Sequence, residues 1–122
     1  MKKSSYLEND ENELLRDHVH LGQSDVQLIL TNNRILFVKN SKDVLNSIRY
    51  NQITKIQNSK PSGKEITENT ISKIRIIDQK GLKIDFSFKG IESVNKSKKA
   101  TSFINKQRKE FELKYNENEE HE

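Results

Sequence analysis

Two histidines separated by one residue are the first side chains along the chain with the chemistry for acid–base or metal work. His18 and His20 lie in the stretch Leu14–Leu21, where apolar and polar residues alternate after Leu15, as in a half-buried β-strand. Both imidazoles then point to one face, and the carboxylate of Asp17 points to the other. A metal site needs at least three protein ligands, and a general base needs a partner nucleophile in a pocket. We therefore interpret the pair as surface histidines and expect no metal site.

Cationic side chains are the second chemical feature, and they fall into two groups. Lys39, Lys42 and Lys80 lie in predicted loops. If those loops share one rim of the fold, their ammonium groups would converge on an anion. A second group faces outward from a predicted C-terminal helix, where it could lie against a membrane or a nucleic acid. Its members are Lys96, Lys98, Lys99, Lys106, Arg108 and Lys109. For both groups, ordinary solvated side chains are the alternative interpretation.

Motifs typical of catalysis are absent from the sequence. It contains no glycine-rich phosphate loop, no HExxH motif and no Ser–His–Asp spacing. Paired carboxylates occur only near the acidic ends. Cysteine is also absent, which excludes disulfides, thiolate metal sites and cysteine nucleophiles. We therefore predict a protein that is not an enzyme and that uses no cofactor.

The formal net charge of +4 is distributed unevenly along the chain. Residues 1–30 contain 3 basic and 6 acidic residues, residues 31–115 contain 19 and 8, and residues 116–122 contain none and 4. A central block of +11 is therefore flanked by blocks of −3 and −4. Such a body attracts phosphate-bearing partners, although lysine also serves solubility.

The length of 122 residues, with 31% hydrophobic residues, is enough for one modest core. We predict a disordered acidic segment over residues 1–11, one domain over residues 12–115 and a disordered acidic tail over residues 116–122, because both ends are poor in apolar residues. The longest apolar run, Ile35–Val38, is far shorter than the roughly 20 residues of a membrane-spanning helix. Residues 1–10 also lack the apolar core of a signal peptide. We expect a cytoplasmic protein.

About seven strands are predicted before the chain changes to a helical period. Leu14–Leu21 is the first strand, with a helix over residues 11–18 as the alternative, and Gly22–Asp25 is a turn. Residues 26–31 and 35–38 are predicted to form a hairpin, in which Asn32 and Asn33 supply the left-handed conformation of a tight turn. A second pair of strands is predicted at residues 44–50 and 53–57, with these side chains facing inward: Ile48, Tyr50, Ile53 and Ile56. The last two strands, residues 70–77 and 82–88, lie on either side of a turn at 78–81.

A single helix is predicted after Gly90, from about residue 95 to residue 115. Its apolar stripe recurs at spacings of three and four residues and consists of Ala100, Phe103, Ile104, Gln107 and Phe111. A helix at the end of a seven-stranded chain most simply closes one end of a small barrel.

Three segments resemble the pleckstrin-homology superfold, in particular GRAM and bacterial PH-like domains. Residues 26–37 resemble the signature hairpin of those families, residues 48–56 resemble the element that follows it, and residues 100–107 resemble the closing helix. The resemblance covers about residues 12–112. It implies a mainly β fold, a seven-stranded, bent antiparallel barrel capped by one C-terminal α-helix.

The same resemblance implies a non-catalytic binding module. Members that bind phosphoinositides usually carry basic residues in the loop between the first two strands, whereas Gly22–Asp25 contains none. The expected function is therefore docking of a protein partner or self-association into a homo-oligomer. Peripheral binding to an anionic membrane, through the rim and helix lysines, is the alternative. Nonspecific nucleic-acid binding comes third.

Overall fold

The computed structural model describes residues 6–40, 42–59 and 65–120, with side chains described as far as residue 112. The described chain forms seven β-strands, a short 3-10 helix and one α-helix. In chain order they are β1 (Glu13–Leu21), β2 (Ser24–Thr31), β3 (Arg34–Lys39), β4 (Asp43–Arg49), the 3-10 helix (Tyr50–Gln52), β5 (Ile53–Ser59), β6 (Ile71–Asp78), β7 (Lys83–Lys89) and α1 (Ser93–Glu120). The predicted count of seven strands followed by one helix is confirmed.

All seven strands belong to one antiparallel sheet in the order β4-β3-β2-β1-β7-β6-β5. The β1–β7 junction is a single residue pair, His20 and Ser87, so the sheet divides into a four-stranded and a three-stranded half. Strands β4 and β5 are its two edges, yet only the three residues Tyr50–Gln52 connect them. A connection this short spans at most about 14 Å. The sheet is therefore strongly bent, and its edges approach each other without closing into a hydrogen-bonded barrel.

The predicted pairing of residues 44–50 with residues 53–57 is wrong. Strand β4 pairs with β3, and β5 pairs with β6. The short connection redirects the chain instead of reversing it, because Tyr50 is buried and its hydroxyl donates a 2.6 Å hydrogen bond to the carbonyl of Thr31. The Gln52 side chain also accepts the Arg49 backbone N–H at 3.0 Å. The connection thus joins one edge of the sheet to the other.

The β2–β3 hairpin lies where the sequence predicts it, but its turn has a different geometry. Among the described non-glycine residues, Asn40 alone has a positive φ, of 55°, so neither Asn32 nor Asn33 is left-handed. The Thr31 hydroxyl holds the turn instead, by accepting the backbone N–H groups of Asn33 and Arg34 at 3.0 Å each. A threonine side chain that mimics a turn carbonyl removes the need for left-handed asparagines.

The core lies inside the bend, between the two halves of the sheet. Phe37 of β3 and Phe86 of β7 meet across it with their ring centroids 5.1 Å apart. The predicted inward positions Ile48 and Ile53 are buried, and Ile56 packs against the core while partly exposed. Leu82, the first residue of the predicted strand 82–88, is 64% exposed. It precedes β7, in the turn from β6.

Helix α1 covers the inner side of the β5–β7 half. Ala100 and Ile104 are buried in the main core, and the Thr101 hydroxyl donates to the Asn58 side chain at 2.7 Å. The helix begins at Ser93, and its backbone continues to Glu120. Residues 116–120, predicted as a disordered tail, are therefore helical, and residues 121–122 lie outside the described chain.

Residues 6–11 also differ from the prediction of a disordered N-terminal segment. Glu11 is fully buried and accepts hydrogen bonds from Arg34 Nε at 2.9 Å and from the Thr31 hydroxyl at 2.7 Å. Tyr6 and Leu7 pack on the outer face of the sheet over Ile29, Leu36 and Val38. We call residues 6–11 the N-terminal strap. Residues 1–5 lie outside the described chain.

Candidate functional site

A groove of about 680 Å³ lies between the 3-10 helix and the C-terminal half of α1. We call it the helix groove. Tyr50 and Phe111 bring two aromatic rings to it, with centroids 5.9 Å apart, and Ile53 adds an aliphatic side chain. Its other lining residues are polar or charged: Asn51, Gln79, Asn105, Arg108, Lys109 and Glu112. The groove is therefore mainly polar, with one small apolar patch at its base.

Hydrogen bonds between the flanking elements hold the walls of the helix groove in place. Arg108 Nη2 donates to the backbone carbonyls of Ile53 and Thr54, at 3.3 Å each, which ties α1 to the start of β5. On the other side, Gln79 Nε2 donates to the carbonyl of Asn51 at 3.0 Å. Groups that are fixed before a ligand arrives lose little conformational entropy when it binds. The walls of the groove are therefore held in position by the fold itself.

The Tyr50 hydroxyl at the helix groove is held in its protonated form. Burial raises the pKa of the Tyr50 hydroxyl, and the negative charge of Glu11 raises it further. That hydroxyl is also committed to the Thr31 carbonyl, so it remains a protonated donor at physiological pH. No serine, threonine, cysteine or histidine is among the described residues that line the groove.

The rim lysines of the sequence analysis lie in two turns. Lys39 and Lys42 flank the β3–β4 turn, where the Lys42 N–H donates to the Lys39 carbonyl at 3.2 Å. Lys80 lies in the β6–β7 turn and lines a second groove of about 470 Å³ together with Lys83, but neither Lys39 nor Lys42 lines that groove. By strand register the two turns occupy the same end of the sheet. Convergence of the three ammonium groups on one anion stays a prediction.

The basic residues predicted on α1 divide by environment. Lys98, Lys99, Lys106 and Lys109 are exposed, as expected for an outward helix face. Arg108 is instead partly buried and bound to the β5 backbone.

Lys96 Nζ lies 3.4 Å from an Asp17 carboxylate oxygen, which confirms that Asp17 points away from the two histidines.

His18 and His20 share one face of β1, as predicted, with ring centroids 5.3 Å apart. Asp25 on β2 is their common neighbour, with an oxygen 2.7 Å from His20 Nδ1 and 3.8 Å from His18 Nε2. Within the described part of the chain, no group of three or more residues is arranged to hold a metal ion. The cluster is a surface contact between two strands.

One charged surface was not predicted from the sequence: the outer face of the three-stranded half, β5–β7. The register of β5, β6 and β7 places five cationic side chains and one carboxylate, Asp85, on that face. We call it the basic sheet face; its cations are Lys55, Lys73, Arg75, Lys83 and Lys89. The signal was present in the alternation of β6 and β7, whose polar positions are rich in lysine. It becomes a surface only once the two strands are paired.

Comparison with known proteins adds no family assignment. A scan of the chain against protein-family models finds no match, and a search of curated proteins also finds none. Among the described residues, no helix is long and apolar enough to cross a membrane.

Proposed function

We propose that the protein is a non-catalytic docking module that captures an extended segment of a partner protein in the helix groove. The observation that carries the proposal is the pre-formed groove of about 680 Å³, with aromatic rings at its base and without a catalytic constellation in its described lining. The resemblance to PH-like domains, which are mostly binding modules, supports it. We extend the proposal to a cytoplasmic location, which cell fractionation tests.

The chemistry of the groove suggests what the partner segment contains. An apolar side chain of the partner would pack against the partly exposed Phe111 ring, which lies on the buried Tyr50 ring, and burying it contributes roughly 1.5–3 kcal/mol. The backbone of the segment would find amide partners in Asn51 and Asn105. Lys109 at the exposed rim favours an acidic residue beside the apolar anchor, while Glu112 disfavours a uniformly acidic segment. The expected ligand is a peptide with one large apolar residue next to a single acid.

Selection from a random peptide library on the wild-type protein tests the proposal without a known partner. The groove is blocked by Asn105→Trp, which places an indole at the groove wall. The matched control is Ser102→Trp, since Ser102 is exposed on the same helix and does not line the groove.

Peptides enriched on the wild type should bind Ser102→Trp with unchanged affinity. They should bind Asn105→Trp at least about tenfold more weakly, a loss of roughly 1.4 kcal/mol. Failure to enrich any peptide, or equal binding to both variants, contradicts the proposal. A dimer in sedimentation experiments that Asn105→Trp dissociates would instead identify a second copy of this chain as the occupant.

A further inference from the structure

The basic sheet face is a second surface, separate from the helix groove. Helix α1 packs on the inner side of β5–β7 through the core residues Ala100 and Ile104, so the outer side of these strands faces away from the helix. Adjacent strands lie about 5 Å apart, and alternate residues of one strand about 7 Å apart. The face is therefore a grid whose rows follow from the strand register.

Cations occupy every row of this grid. The first row is Lys55, Ile77 and Lys83; the second is Gln57, Arg75 and Asp85; the third is Ser59, Lys73 and Ser87; the fourth is Ile71 and Lys89. Five positive charges and one negative charge leave a net charge of +4 on one side of three strands. Like charges this close repel one another, so the arrangement costs stability unless an anion covers it.

Only one of the five cations is neutralised within the described chain. Arg75 forms a bidentate ion pair with Asp85, in which Nε donates to Oδ1 at 2.7 Å and Nη2 donates to Oδ2 at 3.0 Å. The four lysines of the face have no carboxylate of the described residues within ion-pair distance. Their charges remain available to an external partner.

The middle rows of the face contain a shallow depression. A shallow cavity of about 460 Å³ is lined by polar side chains of all three strands, including one carboxylate: Gln57, Ser59, Lys73, Arg75, Asp85 and Ser87. Short serine side chains form a dip between the longer lysine and arginine side chains. The Lys73 ammonium and the serine hydroxyls are donors that match the oxygens of a phosphate group, whereas the Arg75 guanidinium is held by Asp85.

The shape of the face favours a membrane over a nucleic acid as the source of that phosphate. The outer side of a bent sheet is convex, so it meets a plane more readily than it wraps a duplex. None of the outward positions of β5–β7 is aromatic, whereas single-strand binding relies on aromatic stacking. Two isoleucines lie at the ends of the grid, and Ile71 is 46% exposed. Apolar side chains among lysines suit the headgroup boundary of a bilayer.

We propose that the basic sheet face docks the protein on anionic membranes, with lipid phosphates bound by its four lysines, Lys73 among them. The helix groove then faces away from the bilayer and stays open to a protein segment. This site differs from the rim and helix lysines suggested by the sequence, and its test is independent of the docking proposal.

Vesicle co-sedimentation with two matched triple variants tests the inference. The vesicles contain either neutral phosphatidylcholine alone or about 30% phosphatidylglycerol, at about 0.15 M salt. One variant carries Lys73→Gln, Lys83→Gln and Lys89→Gln, and the control carries Lys98→Gln, Lys99→Gln and Lys106→Gln. Both remove three charges from exposed positions, so they differ only in which surface is changed. Circular dichroism confirms that each variant is folded.

The wild type should bind anionic vesicles and not neutral ones. Each lysine near an anionic surface contributes about 1 kcal/mol, or roughly fivefold. The sheet variant should therefore lose about a hundredfold in partition coefficient, whereas the helix variant should change only a few fold. Equal losses in both variants would show that net charge alone is responsible. Binding to DNA or RNA without binding to vesicles, or no vesicle binding by the wild type, would also overturn the inference.

Discussion

The N-terminal strap makes a quantitative prediction through Glu11, which is fully buried. Its carboxylate accepts Arg34 Nε and Nη2 at 2.9 Å and 3.0 Å, the Thr31 hydroxyl at 2.7 Å and the Glu8 backbone N–H at 3.1 Å. The Arg34 side chain is itself only 16% exposed. Replacement Glu11→Ala leaves this guanidinium without its main partner in a site from which most water is excluded.

Removing one partner of a buried ion pair costs about 3–5 kcal/mol. We expect the lower end of this range, about 3 kcal/mol, because Glu8 Oε1 lies 3.9 Å from Arg34 Nε and provides a partial replacement. The control is Glu13→Ala, because the Glu13–Arg16 pair is exposed and such pairs contribute at most about 1 kcal/mol. Urea denaturation followed by circular dichroism measures both variants. A Glu11→Ala loss no larger than that of Glu13→Ala would refute a stabilising role for the strap.

The same pair makes stability depend on pH with a definite sign. Burial raises the pKa of Glu11, but hydrogen bonds from Arg34, Thr31 and the Glu8 backbone, together with the charge of Arg34, lower it more, so its folded pKa lies below the ordinary value of 4.5. A lowered folded pKa contributes stability that is present above the unfolded pKa and is lost as the pH falls through the folded pKa. The stability difference between wild type and Glu11→Gln should therefore be constant above about pH 5 and shrink below pH 4.5. A difference that grows on acidification would reverse the assigned direction.

Two further variants probe other parts of the fold. Leu7→Ala should lower the free energy of unfolding by about 2 kcal/mol, the low end for a leucine, because Leu7 is partly exposed where it covers Ile29, Leu36 and Val38. The uncovered patch should also increase the binding of a hydrophobic dye to the folded protein. Unchanged dye binding would argue against this covering role of Leu7. Gly81→Ala should cost about 1–2 kcal/mol, because Gly81 has a φ of 83° in the β6–β7 turn; thermal unfolding measures the loss, and a neutral result would mean that the turn adopts another conformation in solution.

Residues whose environment is set locally were predictable from the sequence. Strict alternation identifies β7, and the three-and-four spacing of Ala100, Ile104 and Gln107 identifies the buried stripe of α1. The predicted turn at 78–81 is also present, with Gly81 at a φ of 83°, a conformation that glycine adopts without strain. Local periodicity therefore located most elements correctly.

Features that depend on distant partners were not predictable in this way. The short connection between β4 and β5 predicts that these strands pair with each other. The buried Tyr50 hydroxyl instead binds the Thr31 carbonyl, and the two strands pair with β3 and β6. In the sequence, Glu11 belongs to an acidic N-terminal segment. Its partner Arg34 is 23 residues away along the chain, so their contact becomes visible only in the fold. The helix groove and the basic sheet face likewise combine residues from separate elements, so neither exists as a local pattern.

Chemical-shift mapping of a library-selected peptide tests the central claim, docking in the helix groove, most directly. Titration into ¹⁵N-labelled protein should shift the amide signals of the groove walls, Tyr50–Ile53 and Asn105–Glu112, together with that of Gln79. Signals from the outer positions of β6 and β7 should stay in place. Peptide-induced shifts confined to the β3–β4 and β6–β7 turns, or to the basic sheet face, would contradict docking in the groove.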